Sequence, residues 1–198
     1  GAAVALNELY DRGLSRQELV PIAAEGEAVV SGTAHADNVA PSILGGFTIA
    51  TADGVACVGA DLSLVACLPE IAISTRDARR VVPETAGMDD VVETVGNAAT
   101  LTVGMCRDDP ELVGRGMGDP LVTPARAELI TGYNAVRTAA IDAGATGVTV
   151  SGAGPSMLAV CHDRDRRAVG NAMLSAFENH EVDARVYQTQ VSDGATLL

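Results

Sequence analysis

GVTVSGAGPSMLAVC, residues 147–161, decides how the larger part of this chain folds. Two apolar runs flank the centre SGAGPS, which holds Gly152, Gly154 and Pro155. The glycines permit positive φ and close backbone approach, and the proline rigidifies the exit, so the stretch reads as strand, glycine turn, strand. Upstream, TPARAELITGYNAVRTAAIDAG (123–144) and MDDVVETVGNAATLTVGM (88–105) carry helical spacing, with PELVGRGM (110–117) between them. TRDARRVVP (75–83) reads as a short helix, and LSLVACLP (62–69), a near-continuous apolar run, as a strand buried on both faces. Downstream, DRDRRAVGNAMLSAFENH (163–180) predicts a helix and VDARVYQTQV (182–191) an alternating final strand. Strand, helices, two strands, helix, strand is an α+β sandwich of ferredoxin-like kind.

Further out, the first 60 residues read differently. GAAVALNELYDRG opens with a helical apolar face of Val4, Leu6, Leu9 and Tyr10, and Gly13 is a good stop. Nothing caps its start, so the chain reads as beginning inside a helix. LSRQEL then supplies a capping box, Ser15 with Glu18, and starts a helix to about Val30 that Pro21 should bend or delay. GGFTIATADGVACVG (45–59) predicts two strands around a turn at Asp53–Gly54. The join between the two parts falls near Val58–Ala60, giving domains 1–59 and 60–198. No internal repeat or low-complexity tract interrupts them.

The 26 acidic residues face 13 bases, all of them arginine, for a formal charge of −13. Such a surface repels phosphate backbones and anionic lipid, which argues against nucleic acid and membrane as partners. Acid excess without lysine fits a salt-saturated cytoplasm, the alternative being an ordinary acidic protein of high-GC codon usage. It also means that no lysine can serve as base, Schiff-base former or phosphate clamp. Aromatics are few (Phe47, Phe177, Tyr10, Tyr133, Tyr187, no Trp), so the core must be aliphatic, and the scarcity argues against a base-stacking platform. Cys57, Cys67, Cys106 and Cys161 lack zinc spacing and read as reduced, mostly buried thiols. No signal peptide and no apolar run near 18 residues is present, so the expectation is a cytoplasmic protein.

Two stretches and two arginines could carry chemistry. SGTAHADNVAPSILGGF (31–47) places His35, Asp37 and Asn38 within four residues. Asp37 or Asn38 could simply cap the helix VAPSILG. That leaves His35 unexplained, and Glu25 and Glu27 near the end of the preceding apolar helix. SGAGPS is either a tight connection or a loop against which a ligand or another backbone rests. Arg79 follows a buried strand and Arg126 opens a helix. Most arginines are solvated, but a guanidinium fork at an element end suits a carboxylate or phosphate.

Together, ALNELY, GEAVVSGTAHADNVAPSILGGF, STRDAR and VSGAGPSMLAV resemble the archaeal and bacterial homoserine kinases of the GHMP kinase superfamily. HADNVAP is specific to that group, whereas SGAGPS resembles the superfamily's broader third motif. The resemblance implies a remnant of the GHMP kinase N-terminal domain (the ribosomal S5 domain 2-like fold) over 1–59. Over 60–198 it implies a ferredoxin-like C-terminal domain. It implies ATP and Mg2+ as cofactors and L-homoserine as substrate, in threonine biosynthesis; a homodimer stays open. Glu27 resembles the magnesium-binding glutamate, and His35 and Asp37 resemble homoserine contacts, Asp37 on the ammonium. Arg79 and Arg126 resemble the carboxylate-binding pair, and Gly152 and Gly154 belong to the cofactor side. Asn38 falls where mevalonate-type relatives hold a catalytic aspartate, and Thr75 is a weaker candidate for the reaction centre. The family's phosphate loop, of GLGSS type, would precede the first helix, as would a substrate-binding asparagine. The chain therefore reads as lacking its N-terminal portion and as inactive in this form. The alternatives are a related small-molecule kinase or a non-catalytic amino-acid-binding module.

Overall fold

The structure, a computed structural model of the 198-residue chain, describes residues 1–31, 34 and 36–197, and in it the side chains of Val30 and Ser31 are left aside. Two compact units emerge: Gly1–Asp61 together with Val191–Leu198, and Leu62–Gln190. The expected division at residues 59 and 60 differs from this in the C-terminal segment, which packs with the first unit. Backbone bonding shows why: the Gly46 N–H donates to Ser192 O at 2.8 Å, and Arg16 Nη1 donates to Ile43 O at 3.0 Å and Asp193 O at 3.3 Å.

The first unit holds α1 (Ala2–Leu9), α2 (Arg16–Ser31), α3 (Ala36–Leu44) and the antiparallel hairpin β1 (Phe47–Thr51) and β2 (Gly54–Val58). The capping box forms: Glu18 Oε2 accepts from Ser15 N at 2.8 Å and from Ser15 Oγ at 2.7 Å. Pro21 neither delays nor ends α2; it sits inside the helix, at the cost of one backbone donor. The apolar face expected of α1 is corrected. Val4 is buried against Leu19, Val20, Ala40 and Ile43, while Leu6, Leu9 and Tyr10 are exposed. A narrow contact with α2 uses one residue of that stripe and leaves the rest.

The second unit holds β3 (Ser63–Pro69), α4 (Thr75–Arg80), α5 (Met88–Cys106), α6 (Pro110–Gly116), α7 (Thr123–Ala127), α8 (Tyr133–Asp142), β4 (Ala145–Val150), β5 (Met157–Cys161), α9 (Arg166–Glu178) and β6 (Ala184–Gln190). The four strands form one antiparallel sheet in the order β4-β5-β3-β6, with Val65 opposite both Ala159 and Gln188. From α8 and α9, Val136, Ala140, Val169, Met173 and Phe177 pack on Val65, Cys67, Met157 and Ala159. This is the expected α+β, ferredoxin-like arrangement.

Two expectations within it are corrected. LSLVACLP is central in the sheet but not buried on both faces: Val65 and Cys67 are fully buried while Leu68 is 38% exposed. Its alternation reflects a sheet with helices α8 and α9 packed on one face. TPARAELITGYNAVRTAAIDAG is not one helix but two, α7 and α8, separated at Gly132, whose φ of +83° is left-handed. All four cysteines are free; Cys67 and Cys161 are buried, and burial pushes each thiol up to about 11, whereas Cys57 and Cys106 are exposed rather than buried. Among the described residues, no helix is long and apolar enough to cross a membrane.

Candidate active site

The loop entering α7 builds the site in the second unit. Asp119 accepts from the backbone N–H of Leu121 and Val122 through Oδ1, at 2.9 and 3.0 Å. Its Oδ2 accepts from Thr123 N at 2.9 Å and Thr123 Oγ1 at 3.1 Å. Burial raises the pKa of this carboxyl, but the three amide donors and the hydroxyl together outweigh burial and hold it below the ordinary aspartate value. Nothing singled out Asp119 in the sequence; the Asp-Pro pair at 119–120, a turn signal, was the legible hint.

So anchored, α7 presents Arg126, which is half-buried. Its Nη1 donates to Gly152 O at 2.8 Å, and its Nε donates to Ala78 O at 3.4 Å, a long bond. One guanidinium thus joins three segments far apart in sequence: α4, α7 and the SGAGPS loop. Arg126 Nη2 has no hydrogen-bond partner among the described residues. Arg79 is the residue after Ala78, exposed, in the last turn of α4. That helix starts from Ser74, whose Oγ accepts from Asp77 N at 3.1 Å and donates to Asp77 Oδ2 at 2.5 Å. Thr75 is its first residue and is exposed.

The SGAGPS loop closes on itself through Ser151 N to Ser156 O at 2.8 Å and Gly154 N to Ser151 O at 3.0 Å. Gly152 and Gly154 have φ of +58° and +81°, so both sites favour glycine on backbone grounds. A Cβ on Gly152 would meet nothing within 4 Å, so its surroundings are open. On Gly154 a Cβ would lie 3.2 Å from Val150 Cγ1 and 3.4 Å from Ile130 Cδ1. Among the described residues, the side chain of Arg126 rests against this loop on the Gly152 side and Ile130 lies on the Gly154 side.

In the first unit, Glu27 is half-buried near the end of α2, where it takes part in an interaction. Asp37 and Asn38 are exposed on the first turn of α3. Neither precedes the helix as an N-cap would, because α3 starts at Ala36, earlier than VAPSILG suggested. The Asn38 carbonyl accepts from Ser42 Oγ at 2.9 Å. His35 lies outside the described residues. Among the described residues, no group of three or more His, Cys, Asp or Glu is placed to hold a metal ion.

Comparison with known proteins gives this geometry its context. Residues 1–46 match the GHMP kinases N terminal domain, and residues 101–179 match GHMP kinases C terminal. The homoserine kinase of Halorubrum lacusprofundi is 72% identical over 198 residues, covering all of this chain and 68% of that protein. That of Haloarcula marismortui is 70% identical over 197 residues, with 68% of its length covered. In three dimensions, the homoserine kinase of Cytophaga hutchinsonii matches with a TM-score of 0.88 at 34% identity, over 96% of this chain and 62% of that one. L. major mevalonate kinase in complex with R-mevalonate shares the fold, with a TM-score of 0.76 at 16% identity, over 97% of this chain and 63% of that one. The chain thus spans about two thirds of the length of these relatives, and it belongs to the homoserine kinases of the GHMP kinase family.

Proposed function

We propose that this chain carries the amino-acid-binding part of an ATP-dependent kinase that transfers the γ-phosphate of ATP to the side-chain hydroxyl of L-homoserine, a step toward threonine. The observation that carries the reading is the lodging of Arg126 between Ala78 O, beside Arg79, and Gly152 O, with its Nη2 edge left for a ligand. Two guanidinium groups suit the substrate carboxylate, and Asp37, with His35, suits the ammonium and its surroundings. Such a set selects a zwitterion over a neutral sugar or a monoanionic alcohol. Gly152 and Gly154, with open space beside Gly152, are assigned to the nucleotide side.

The hydroxyl oxygen of homoserine attacks the γ-phosphorus in line, and the bond to the β,γ-bridging oxygen breaks to release ADP. The hydroxyl proton passes to the transferred phosphate or to solvent. Asn38 cannot take up that proton, because a neutral side-chain amide is not a base in this pH range. Its assigned task is to orient the hydroxyl; Thr75 is the weaker candidate for the same task. Rate enhancement then comes from positioning and charge neutralisation.

Glu27 is the residue that would hold a magnesium ion. A single half-buried carboxylate, with no larger acidic cluster among the described residues, fits a cation that keeps several waters and leans on substrate phosphates. When bound, that ion neutralises charge on the transferring phosphoryl group. Because the chain spans 68% of the length of the Halorubrum relative, turnover is tested both on the chain itself and on a longer version.

The test measures ADP release with magnesium-ATP and homoserine. It compares this chain, a version extended at its N-terminus to the length of its relatives, and the extended version with Arg126→Ala. Activity with homoserine only after extension, and a KM for homoserine raised about 10–100-fold by the substitution, is the expected result. An extended chain silent with homoserine but active on mevalonate or galactose would sink the assignment. If every form binds homoserine and none releases ADP, the chain is an amino-acid-binding module instead.

A further inference from the structure

A second cavity lies in the 62–190 unit; none of its lining residues is assigned to substrate, nucleotide or metal above, although Asp119 and Thr123 also anchor α7. It has a volume of about 380 Å³ and opens beside β4, between the end of α6, the loop 117–123 and α8. Arg115, Asp119, Thr123, Tyr133, Arg137 and Thr149 supply its polar wall. The volume is within the range of pockets that take small ligands.

Its polar wall offers donors to an occupant. Both oxygens of Asp119, the cavity's one carboxylate, are already taken by the four donors described above. Asp119 keeps its charge, but it has no hydrogen-bonding need left to meet; Arg115 and Arg137 line the same space, both are exposed, and among the described residues neither guanidinium has a hydrogen bond or an ion pair. Tyr133 is only 6% exposed, yet its hydroxyl also has no hydrogen-bond partner among the described residues. A phenol so buried normally finds a partner for its hydroxyl. No buried polar side-chain atom of the described residues is fully enclosed without a partner, so this hydroxyl opens into the cavity that it lines. Thr149 Oγ1 lies 3.5 Å from Thr123 Oγ1 and can turn a proton inward. Met117, Ile141 and Val148 supply apolar lining. Burial raises the Tyr133 phenol; the Arg137 guanidinium lowers it and the Asp119 carboxylate raises it.

We propose that this cavity binds a small multivalent oxyanion, a phosphate or a dicarboxylate, between the guanidinium groups of Arg115 and Arg137, with the Tyr133 hydroxyl donating to it. The site is separate from the homoserine site by composition: it contains neither Arg79, Arg126, Gly152 nor Gly154. It does share Thr123 with α7 and Thr149 with β4, the strand leading into SGAGPS, so an occupant lies beside α7 and the strand that enters the loop.

The test is calorimetric titration of the whole chain at constant potassium chloride, with inorganic phosphate in one arm and malonate in the other. One saturable site is expected. Arg115→Gln with Arg137→Gln weakens it at least tenfold, and Tyr133→Phe weakens it several-fold. The charge-matched pair Arg107→Gln with Arg167→Gln, both exposed and away from the cavity, leaves it unchanged. Because the chain has three tyrosines and no tryptophan, its near-ultraviolet spectrum reports on tyrosine directly. Titration shifts that spectrum in the parent chain and in Tyr187→Phe, but not in Tyr133→Phe. Tighter phosphate assigns the site to phosphoryl compounds, and tighter malonate to dicarboxylates. No saturable binding in either arm overturns the proposal, as does equal weakening by the control pair or a spectral shift that survives in Tyr133→Phe.

Discussion

Arg126 owes its geometry to a guanidinium's rigid fork, which can donate along two directions at once. Replacing it by lysine keeps the charge but leaves one donor head for two carbonyls, so Arg126→Lys should behave nearly as badly as Arg126→Ala. Either change releases Gly152 O and Ala78 O, and both should lower the unfolding free energy by about 1–2 kcal/mol, read by urea denaturation. A lysine variant with parental stability and KM would show that the fork is not needed. Asp119 predicts a pH effect with a definite sign. Its folded pKa is depressed, so its contribution is present above the unfolded aspartate value and disappears as pH falls through the folded one. Acid titration of stability should therefore be shallower in Asp119→Asn than in the parent, with the difference confined to the acidic limb. Neither partner of Arg126 could be read from sequence, because Ala78 and Gly152 contribute carbonyls, which every residue possesses.

Elements were more legible than their breaks. Periodicity located α5, α9 and the strands of the second sheet, and the capping box located the start of α2. It failed across 123–144, where the apolar spacing continues through a turn that only a left-handed residue can make. Gly132→Ala should test that turn: a positive φ and a Cβ placed 3.0 Å from His180 Cδ2 should cost about 1–3 kcal/mol by thermal or chemical unfolding. An unchanged stability would mean that the α7–α8 turn tolerates an ordinary backbone. In the core, Phe177 near the C-terminal end of α9 is fully buried in the cluster that includes Val65 and Cys67 of β3. Phe177→Ala should cost about 3–5 kcal/mol, since aliphatic neighbours cannot refill the volume of a ring.

At the scale of the molecule, charge dominates. With −13 on 198 residues, self-repulsion opposes the compact state until salt screens it. The screening length falls from about 10 Å at 0.1 M to about 3 Å at 1 M salt. The Tm should therefore rise steeply with potassium chloride over that range, and a flat profile would contradict a surface adapted to concentrated salt. The relatives named above from Halorubrum and Haloarcula share 72% and 70% of their aligned residues with this chain.

The sequence by itself determined the α+β class, the antiparallel strand set and the family, because these rest on short-range periodicity, turn chemistry and contiguous motifs such as HADNVAP. It also nominated Arg126 and SGAGPS separately. Only the tertiary structure decided that they touch, that Asp119 holds the loop that brings them together, and that Val191–Leu198 returns to the first unit. The reason is physical: those contacts run through backbone carbonyls, amides and saturated carboxylates across large sequence separations, and such partners leave no pattern in the order of side chains.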